Sequence, residues 1–272
     1  MNKPPSIFIF CALACEARPL IAAWQLKKLP ASSHPFAIYA DPQRAVVVTG
    51  IGKTAMAGAV GYAMALFANP ALPVMLNLGI AGHRNRPLGS LVLGHKIIDS
   101  ETKRGFYPQF PFTVSLPTQT VSTAANPNTD YSADALFDME ASGFYEMAVK
   151  FSSSELIHVV KIISDNRHSP ITAIGETGVE RWISAQLAAI EDLLDALLVH
   201  RQLRPQDSEL YDRLTKEFRF TVSGCLKLKA LLQRWRALKG DEPLVWQSRQ
   251  LKSGKEFLTW LEKRLDDSAF FL

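Results

Sequence analysis

The chain has 272 residues, of which 47% are hydrophobic and 21% charged, with 15 Gly and 16 Pro. That is enough apolar material for one large domain or one domain with an extension, and it excludes both a chain too polar to bury a core and a collagen-like repeat. The formal net charge of +4 is too small to announce a nucleic-acid binder, but it is unevenly spread. Residues 201–272 hold 15 Lys/Arg against 10 Asp/Glu, a net of +5, which leaves −1 for residues 1–200.

Three cysteines, Cys11, Cys15 and Cys225, are an odd number in a long chain and do not make a disulfide framework. Cys11 and Cys15 lie in an apolar stretch with no histidine nearby, so no zinc site is expected. Reduced thiols in a cytoplasmic protein are the plain reading. Lys3 followed by the apolar run Ser6–Ala14 and Cys15 has the outline of a lipoprotein signal. The run is short, carries one positive charge and follows Pro4-Pro5, so a buried parallel strand is the better reading. No run approaches the length of a transmembrane helix, and no membrane partner is expected.

Strand-like runs rich in Val, Ile and Phe occur at Ser6–Leu13, Phe36–Ala40, Arg44–Thr49, Val74–Leu78, Ser90–Asp99, Thr118–Thr123, Ala135–Met139 and Ile157–Ile163. Helical stretches at Glu16–Lys28, Lys53–Phe67 and Glu140–Phe151 lie between several of them. This alternation predicts an α/β fold, a central mostly parallel or mixed sheet flanked by helices. From Val179 the pattern becomes helical, over Val179–His200, Gln206–Phe218, Val222–Lys239 and Leu251–Leu265, with breaks at Pro205 and at Gly240-Asp-Glu-Pro243. The division expected is an α/β domain over residues 1–200 and a basic helical extension over 201–272.

Gly50-Ile51-Gly52-Lys53-Thr54-Ala55 follows a strand and opens a helix. As a dinucleotide fingerprint it lacks the acidic residue expected about twenty positions on. As a P-loop it lacks the first glycine, because residue 47 is Val. A tight glycine turn that packs a helix on the sheet is the remaining reading.

The informative residues are acidic and lie at strand ends. Glu16 follows the first strand, Asp138 and Glu140 flank Met139, and Asp165 closes Ile163-Ser164-Asp165. In an open α/β sheet, ligands bind at the carboxyl ends of strands, so these places can converge on one pocket. Asn77-Leu78-Gly79-Ile80-Ala81-Gly82 ends another strand in the same way, with glycines that let backbone amides approach a ligand.

The series Ala12-Leu-Ala-Cys-Glu16, Gly50-Ile-Gly-Lys53, Asn77-Leu-Gly-Ile-Ala-Gly82, Asp138-Met-Glu-Ala-Ser-Gly143 and Lys161-Ile-Ile-Ser-Asp165 resembles the purine nucleoside phosphorylase/uridine phosphorylase superfamily. It is most similar to its methylthioadenosine/S-adenosylhomocysteine nucleosidase branch. The resemblance spans residue 6 to about residue 200. It implies a strand-end pocket in which a purine lies over a ribose and the N-glycosidic bond is cleaved. It implies that Asp165 is the general acid, that Glu16 helps activate water, that Met139 packs on the sugar and that Glu140 binds its hydroxyls. Asp138, Ser164, Gly79, Ile80, Ala81 and Gly82 join the substrate-binding set, with Ala125 and Asn126 as positional candidates for the base. The expected partners are a small-molecule nucleoside, water or phosphate as co-substrate, and a second copy of the chain in a homodimer or higher oligomer. No cofactor is expected. Two positions depart from the family pattern. Ile80 stands where Ser or Thr is frequent, and Gly94-His95 stands where Gly-Asp is usual.

The residue types suit that chemistry independently of the resemblance. A departing purine needs a proton on a ring nitrogen, which a carboxylic acid can give. The sugar then carries oxocarbenium character, which carboxylates stabilise, and a second carboxylate activates water. A phosphate-dependent enzyme would use arginines, for which Arg84 and Arg86 are the candidates just after Gly82. A nucleoside-binding protein with little turnover is the third reading, motivated by Ile80 and His95. His83 adjoins the expected pocket, His158 reads as a sheet residue, and His168 follows Asp165 closely. In the extension, Lys227, Lys229, Arg234, Arg236 and Lys239 share one helix with Leu226, Leu228, Leu231, Leu232, Trp235 and Leu238. This reads as a solvated face on a packed helical unit, with contact to nucleic acid or an acidic protein as the sharper alternative.

Overall fold

The computed structural model describes residues 4–30, 34–68, 72–111, 113, 115–128, 130–170, 174–203, 207–239, 242–246 and 251–269. The expected breaks at Pro205 and at Gly240-Asp241 lie outside the described residues. The chain divides into two compact units, Met1–Leu203 and Arg204–Leu272.

Among the described residues the first unit has ten strands: β1 (Ile7–Cys11), β2 (Lys27–Lys28), β3 (Ala37–Ala40), β4 (Arg44–Val48), β5 (Val74–His83), β6 (Leu91–Asp99), β7 (Gly105–Phe106), β8 (Thr118–Thr123), β9 (Leu136–Asp138) and β10 (Ile157–Asp165). Its helices are α1 (Ala14–Ala23), α2 (Lys53–Leu66), α3 (Ala141–Ala148), α4 (Glu176–Ala185) and α5 (Leu187–Leu203). The strand order is β10-β6-β8-β9-β5-β1-β4-β3-β2, with β7 on β6 and a further pairing of β10 with β5. Five strands, β5, β9, β8, β6 and β10, therefore close into a ring, and the remaining path runs outward from β5. Parallel pairings (β1 with β4 and β5, β5 with β10, β8 with β6 and β9) alternate with antiparallel ones, so the sheet is mixed.

β1 shows why the sheet is covered on both sides. Phe8 and Phe10 join one core with residues of α2 and α3 such as Met56, Val60 and Phe144. Ile7, Ile9 and Cys11 join another with residues of α1, α4 and α5 such as Leu20, Ile183 and Leu194. Alternate side chains of a strand face opposite sides, and here both sides are apolar, which is why the run reads as continuous.

β5 is longer than the sequence pattern suggests. The Asn77–Gly82 segment lies within the strand rather than beyond it, and Asp165 is likewise the last residue of β10. The edge that β5 shares with β1 is paired up to Asn77 and is taken up by β9 from Gly82. Between these points the ladder is open, and the candidate site is built there. The helix expected over Val179–His200 is two helices, with Gln186 capping α4. The helix expected over Glu16–Lys28 stops at Ala23, because Gln25 takes a left-handed backbone (φ 52°) and the chain turns into β2.

The second unit comprises α6 (Asp207–Glu217), α7 (Val222–Lys239) and α8 (Gly254–Ala269) around a core of its own that includes Leu214, Phe218, Leu228, Leu232, Trp235, Phe257 and Leu261. Several of its cations are engaged within the unit. Lys227 pairs with Glu262 and Arg234 with Asp266, while Lys229 lies over Tyr211 and Arg213 over Trp246. Among the described residues no helix is long and apolar enough to cross a membrane.

Candidate active site

Glu16 is the third residue of α1, just past the end of β1, and is buried at 2% exposure. Its carboxylate accepts the amide of Leu13 on Oε2 and the amide of Ile80 on Oε1, both at 2.9 Å. The first bond reaches back across the helix start, as a capping glutamate does. The second fills the open stretch of the β5 edge, so the strand's unpaired amide becomes the carboxylate's partner. A Cβ on Gly79 would lie 2.9 Å from Glu16 Oε1, so a side chain at this position would displace the carboxylate. Burial pushes the Glu16 carboxyl up to about 7, against the two amides and the charge of Lys161.

Asp165 closes β10 opposite Gly82, and the register shifts between Ile163 and Asp165. Such an irregularity re-aims a side chain at a strand end. Ser164 Oγ donates to Asp165 Oδ1 and the Tyr131 phenol donates to Oδ2, both at 2.5 Å. A Cβ on Gly82 would meet Asp165 Oδ2 at 2.5 Å. The two carboxylates thus each press on one glycine of the Gly79–Gly82 segment.

Glu140 sits at the N-cap of α3, buried, with Oε1 accepting the amide of Gly52 at 2.9 Å. Burial raises its pKa, against the charge of Lys161. The Gly50–Gly52 turn, with φ of 84° and 102° at its glycines, therefore has a second part beyond packing α2 on the sheet. It also presents an amide to this carboxylate. Gly143 lets α3 approach closely, since a Cβ there would fall 2.4 Å from the Lys53 carbonyl oxygen.

Sequence reasoning passed over Lys161. It lies on β10 level with Gly79, 1% exposed, with Nζ 2.8 Å from Asp138 Oδ2. Burial works against its charge, but Asp138, Glu140 and Glu16 outweigh burial and its pKa is raised. One ammonium is shared electrostatically by three carboxylates. A signal for it was present, because a lysine set in the apolar run Val159-Val160-Lys161-Ile162-Ile163 demands a charged partner.

Asp138 is buried and bonded within the chain. Its oxygens accept from Thr123 Oγ1 (2.7 Å), the amides of Ala141 (2.8 Å) and Glu140 (3.3 Å), and Lys161. With its lone pairs spent on the protein, it anchors Lys161 and the start of α3. Met139 is half-buried between Asp138 and Glu140, and Ile80 is half-buried beside Glu16, while Ala81 is buried. Ala125 and Asn126 are exposed. The Ala125 amide is given to Glu101, which pairs with Lys53 together with Asp99. Arg84 is exposed and Arg86 half-buried on the turn after β5, where the Arg86 carbonyl accepts from Asn166.

His83 is buried and structural. Its Nδ1 accepts the amides of Asn85 and Arg86, and its Nε2 faces Asp134 at 3.2 Å, the donor–acceptor pattern of a neutral ring. Burial lowers its pKa. His158 is fully buried in β10, bonded to the Glu155 carbonyl and stacked on Phe110, and burial brings its pKa to about 4. The backbone amide of His168 donates to Asn166 Oδ1. No group of three or more His, Cys, Asp or Glu among the described residues is arranged to hold a metal ion.

The fold is shared with solved nucleosidases. The 5′-methylthioadenosine nucleosidase of Arabidopsis thaliana in apo form aligns with a TM-score of 0.55 and 14% identity, over 71% of this chain and 96% of its own. The methylthioadenosine/S-adenosylhomocysteine nucleosidase of Colwellia psychrerythraea in complex with adenine gives 0.54 and 17%, over 69% and 94%. A futalosine hydrolase mutant of Helicobacter pylori gives 0.51 and 12%, over 70% and 99%. At such identities the likeness establishes the fold. No protein-family model matches the chain, and no curated protein matches it in sequence.

Proposed function

We propose that the first unit cleaves the N-glycosidic bond of a purine-type nucleoside by water. The observation that carries this reading is the seating of Glu16 and Asp165 against two glycines of one β5 segment, with Glu140 and Lys161 tied to the same cluster. In the reaction, Asp165 gives a proton to a ring nitrogen of the base, and the bonding pair of the C–N bond leaves with the base. The sugar's cationic character is met by the carboxylates of Glu16 and Glu140. Water then bonds to the anomeric carbon and Glu16 takes its proton. A carboxyl held near 7 is matched to that task at neutral pH. Glu140 offers acceptors to the ribose diol and Met139 an apolar floor, while Lys161 keeps the neighbouring carboxylates in place.

The fold likeness to nucleosidases supports the reaction class, and the adenine held by the Colwellia psychrerythraea neighbour supports a purine-like ligand. We read the protein as a cytoplasmic enzyme, in keeping with three free cysteines, and as a homodimer or higher oligomer. The second unit is read as a separate helical domain. The test is incubation with a panel of nucleosides that varies the base and the 5′ substituent, followed by detection of free base. Release of base from at least one purine nucleoside is expected. A protein that binds nucleosides and releases none is a binding protein instead.

A further inference from the structure

Tyr131 belongs to the loop between β8 and β9 and takes no part in the hydrolysis derived above. It is 4% exposed. Its phenol donates to Asp165 Oδ2 while Ser164 donates to Oδ1, so both oxygens of the acid are engaged from within the chain. The ring lies along β5, where a Cβ on Gly82 would come within 3.1 Å of Tyr131 Cε1. Phe137 meets it edge-on at 6.5 Å between centroids. The glycine at position 82 therefore opens a slot beside the acid, and a flat aromatic ring with a polar edge is fitted into it.

The backbone that delivers this ring is held on both sides. The Tyr131 amide donates to Asn128 Oδ1 at 3.3 Å, and its carbonyl accepts from Arg167 Nη2 at 3.1 Å. Between these bonds the residue takes φ of 47°, a left-handed conformation uncommon for a bulky side chain. Strain of this kind persists where the surroundings over-determine it, and it clusters at ligand clamps. Burial and the neighbouring Asp165 hold the phenol above its ordinary pKa, so it remains a donor at neutral pH. Withdrawing the ring takes rotation about the side-chain bonds and leaves both backbone clamps intact.

We propose that Tyr131 is the specificity-setting residue of the leaving-group subsite: its ring is held where a flat heterocycle with a hydrogen-bonding edge would lie, and a ligand enters by replacing the phenol on Asp165. This rests on the nucleoside reading of the same site. Affinity is then a difference, because a ligand gains Asp165 only as Tyr131 gives it up. An aromatic group without a polar edge leaves the buried carboxyl short of a partner and is rejected. A heterocycle with such an edge exchanges one hydrogen bond for another.

The experiment is calorimetric titration of the full chain with free adenine, comparing wild type, Tyr131→Phe and Tyr131→Leu, each checked for folding by circular dichroism. Removing the internal competitor is expected to tighten adenine binding about fivefold to tenfold in Tyr131→Phe, the worth of one net hydrogen bond. Tyr131→Leu is expected to tighten it as well. Binding by the variants with none by wild type supports the proposal in its strongest form. If wild type binds adenine and Tyr131→Phe binds it equally or more weakly, the displacement role is overturned while the nucleoside reading stands. If neither wild type nor either folded variant binds adenine, the purine reading fails and this proposal goes with it.

Discussion

The carboxylate of Glu140 and the amide of Gly52 lie 2.9 Å apart, although 88 residues separate them in the chain. Gly52 adopts φ of 102° and ψ of 157°, a region that only glycine enters without strain. A residue with a side chain at 52 would shift the amide that fixes the Glu140 carboxylate. Gly52→Ala is therefore expected to cost about 1–3 kcal/mol of stability and to raise KM for a nucleoside more than it raises Kd for free base. Glu140→Gln should reproduce the second effect with less of the first. Equal losses for nucleoside and base would remove Glu140 from the sugar site.

Asp165→Asn keeps the shape of the side chain and removes the proton donor of the proposed reaction. Base release is expected to fall on the order of 10²- to 10⁴-fold, with the melting temperature moving far less. Gly82→Ala attacks the same group from the other side, since its Cβ would fall 2.5 Å from Asp165 Oδ2. Single-turnover rates on the best substrate of the panel check both. Wild-type turnover in Asp165→Asn would take Asp165 out of the mechanism.

Glu16 ties activity and stability to pH in opposite directions. Its carboxyl is at about 7 in the folded chain against an ordinary value of 4.5, so between these values the folded state holds a proton that the unfolded state has lost. Stability therefore falls as pH rises from about 4.5 to about 7 and levels off above, with a total of about 3 kcal/mol from this group. Activity follows the carboxylate form and rises through pH 7. Denaturant titrations between pH 5 and pH 8 should show a shallower decline in Glu16→Gln than in wild type, because Glu140 alone then contributes the buried-carboxyl slope. The same decline in both would remove Glu16 as its source.

What the sequence disclosed followed from local pattern, and what it concealed depended on contacts between distant segments. Glu16, Asp138, Glu140 and Asp165 stood out because each follows an apolar run and precedes a turn or helix, which places it at a strand end. Gly50-Ile-Gly52 was legible as a tight turn, but the partner of its amide was not, because that partner is the residue capping α3, 88 positions away. Lys161 was hidden inside β10, where an apolar pattern invites the eye past one charge. Tyr131 gave no signal, since a loop tyrosine has no periodicity and its partner is set by how the loop folds over β5. The length of β5 was underestimated because glycines weaken a strand pattern, whereas here they serve the close approach of two carboxylates. The split of Val179–His200 into two helices has no breaker residue at Gln186, and nothing in its composition announces it.

The cations of the second unit carry their own prediction. Lys227, Arg234, Lys229 and Arg213 are engaged with carboxylates or rings of the same unit, and the unit has its own core. A chain ending at Leu203 is therefore expected to fold cooperatively and to release base at a rate close to that of the full chain. Circular dichroism and the nucleoside assay on this truncation check it. A truncated chain that is folded but inactive would make the second unit part of the enzyme.

The choice between water and phosphate turns on the charge around Lys161. Glu16, Glu140 and Asp138 all act on this one ammonium, and Asp138 holds it at 2.8 Å, so the cluster carries an excess of negative charge once Glu16 is ionised. A neutral water meets no penalty there and finds a base in Glu16. An incoming phosphate dianion is repelled, at a cost that grows as the surroundings exclude solvent. Phosphorolysis would need guanidinium groups converging on the anomeric carbon, because bidentate Arg–phosphate pairs supply the binding. Arg84 is exposed and Arg86 only half-buried on the turn beyond His83, whereas Glu16 and Lys161 are both at or below 2% exposure. Base release is accordingly expected to be independent of phosphate across a titration, with free ribose or its 5′-substituted form as the sugar product. Lys161→Met should abolish turnover and destabilise the chain by about 3–5 kcal/mol, since it strands Asp138 without its counter-charge. Detection of ribose 1-phosphate, with a rate that saturates in phosphate and collapses in Arg84→Ala or Arg86→Ala, would reverse the assignment and make those arginines the phosphate ligands.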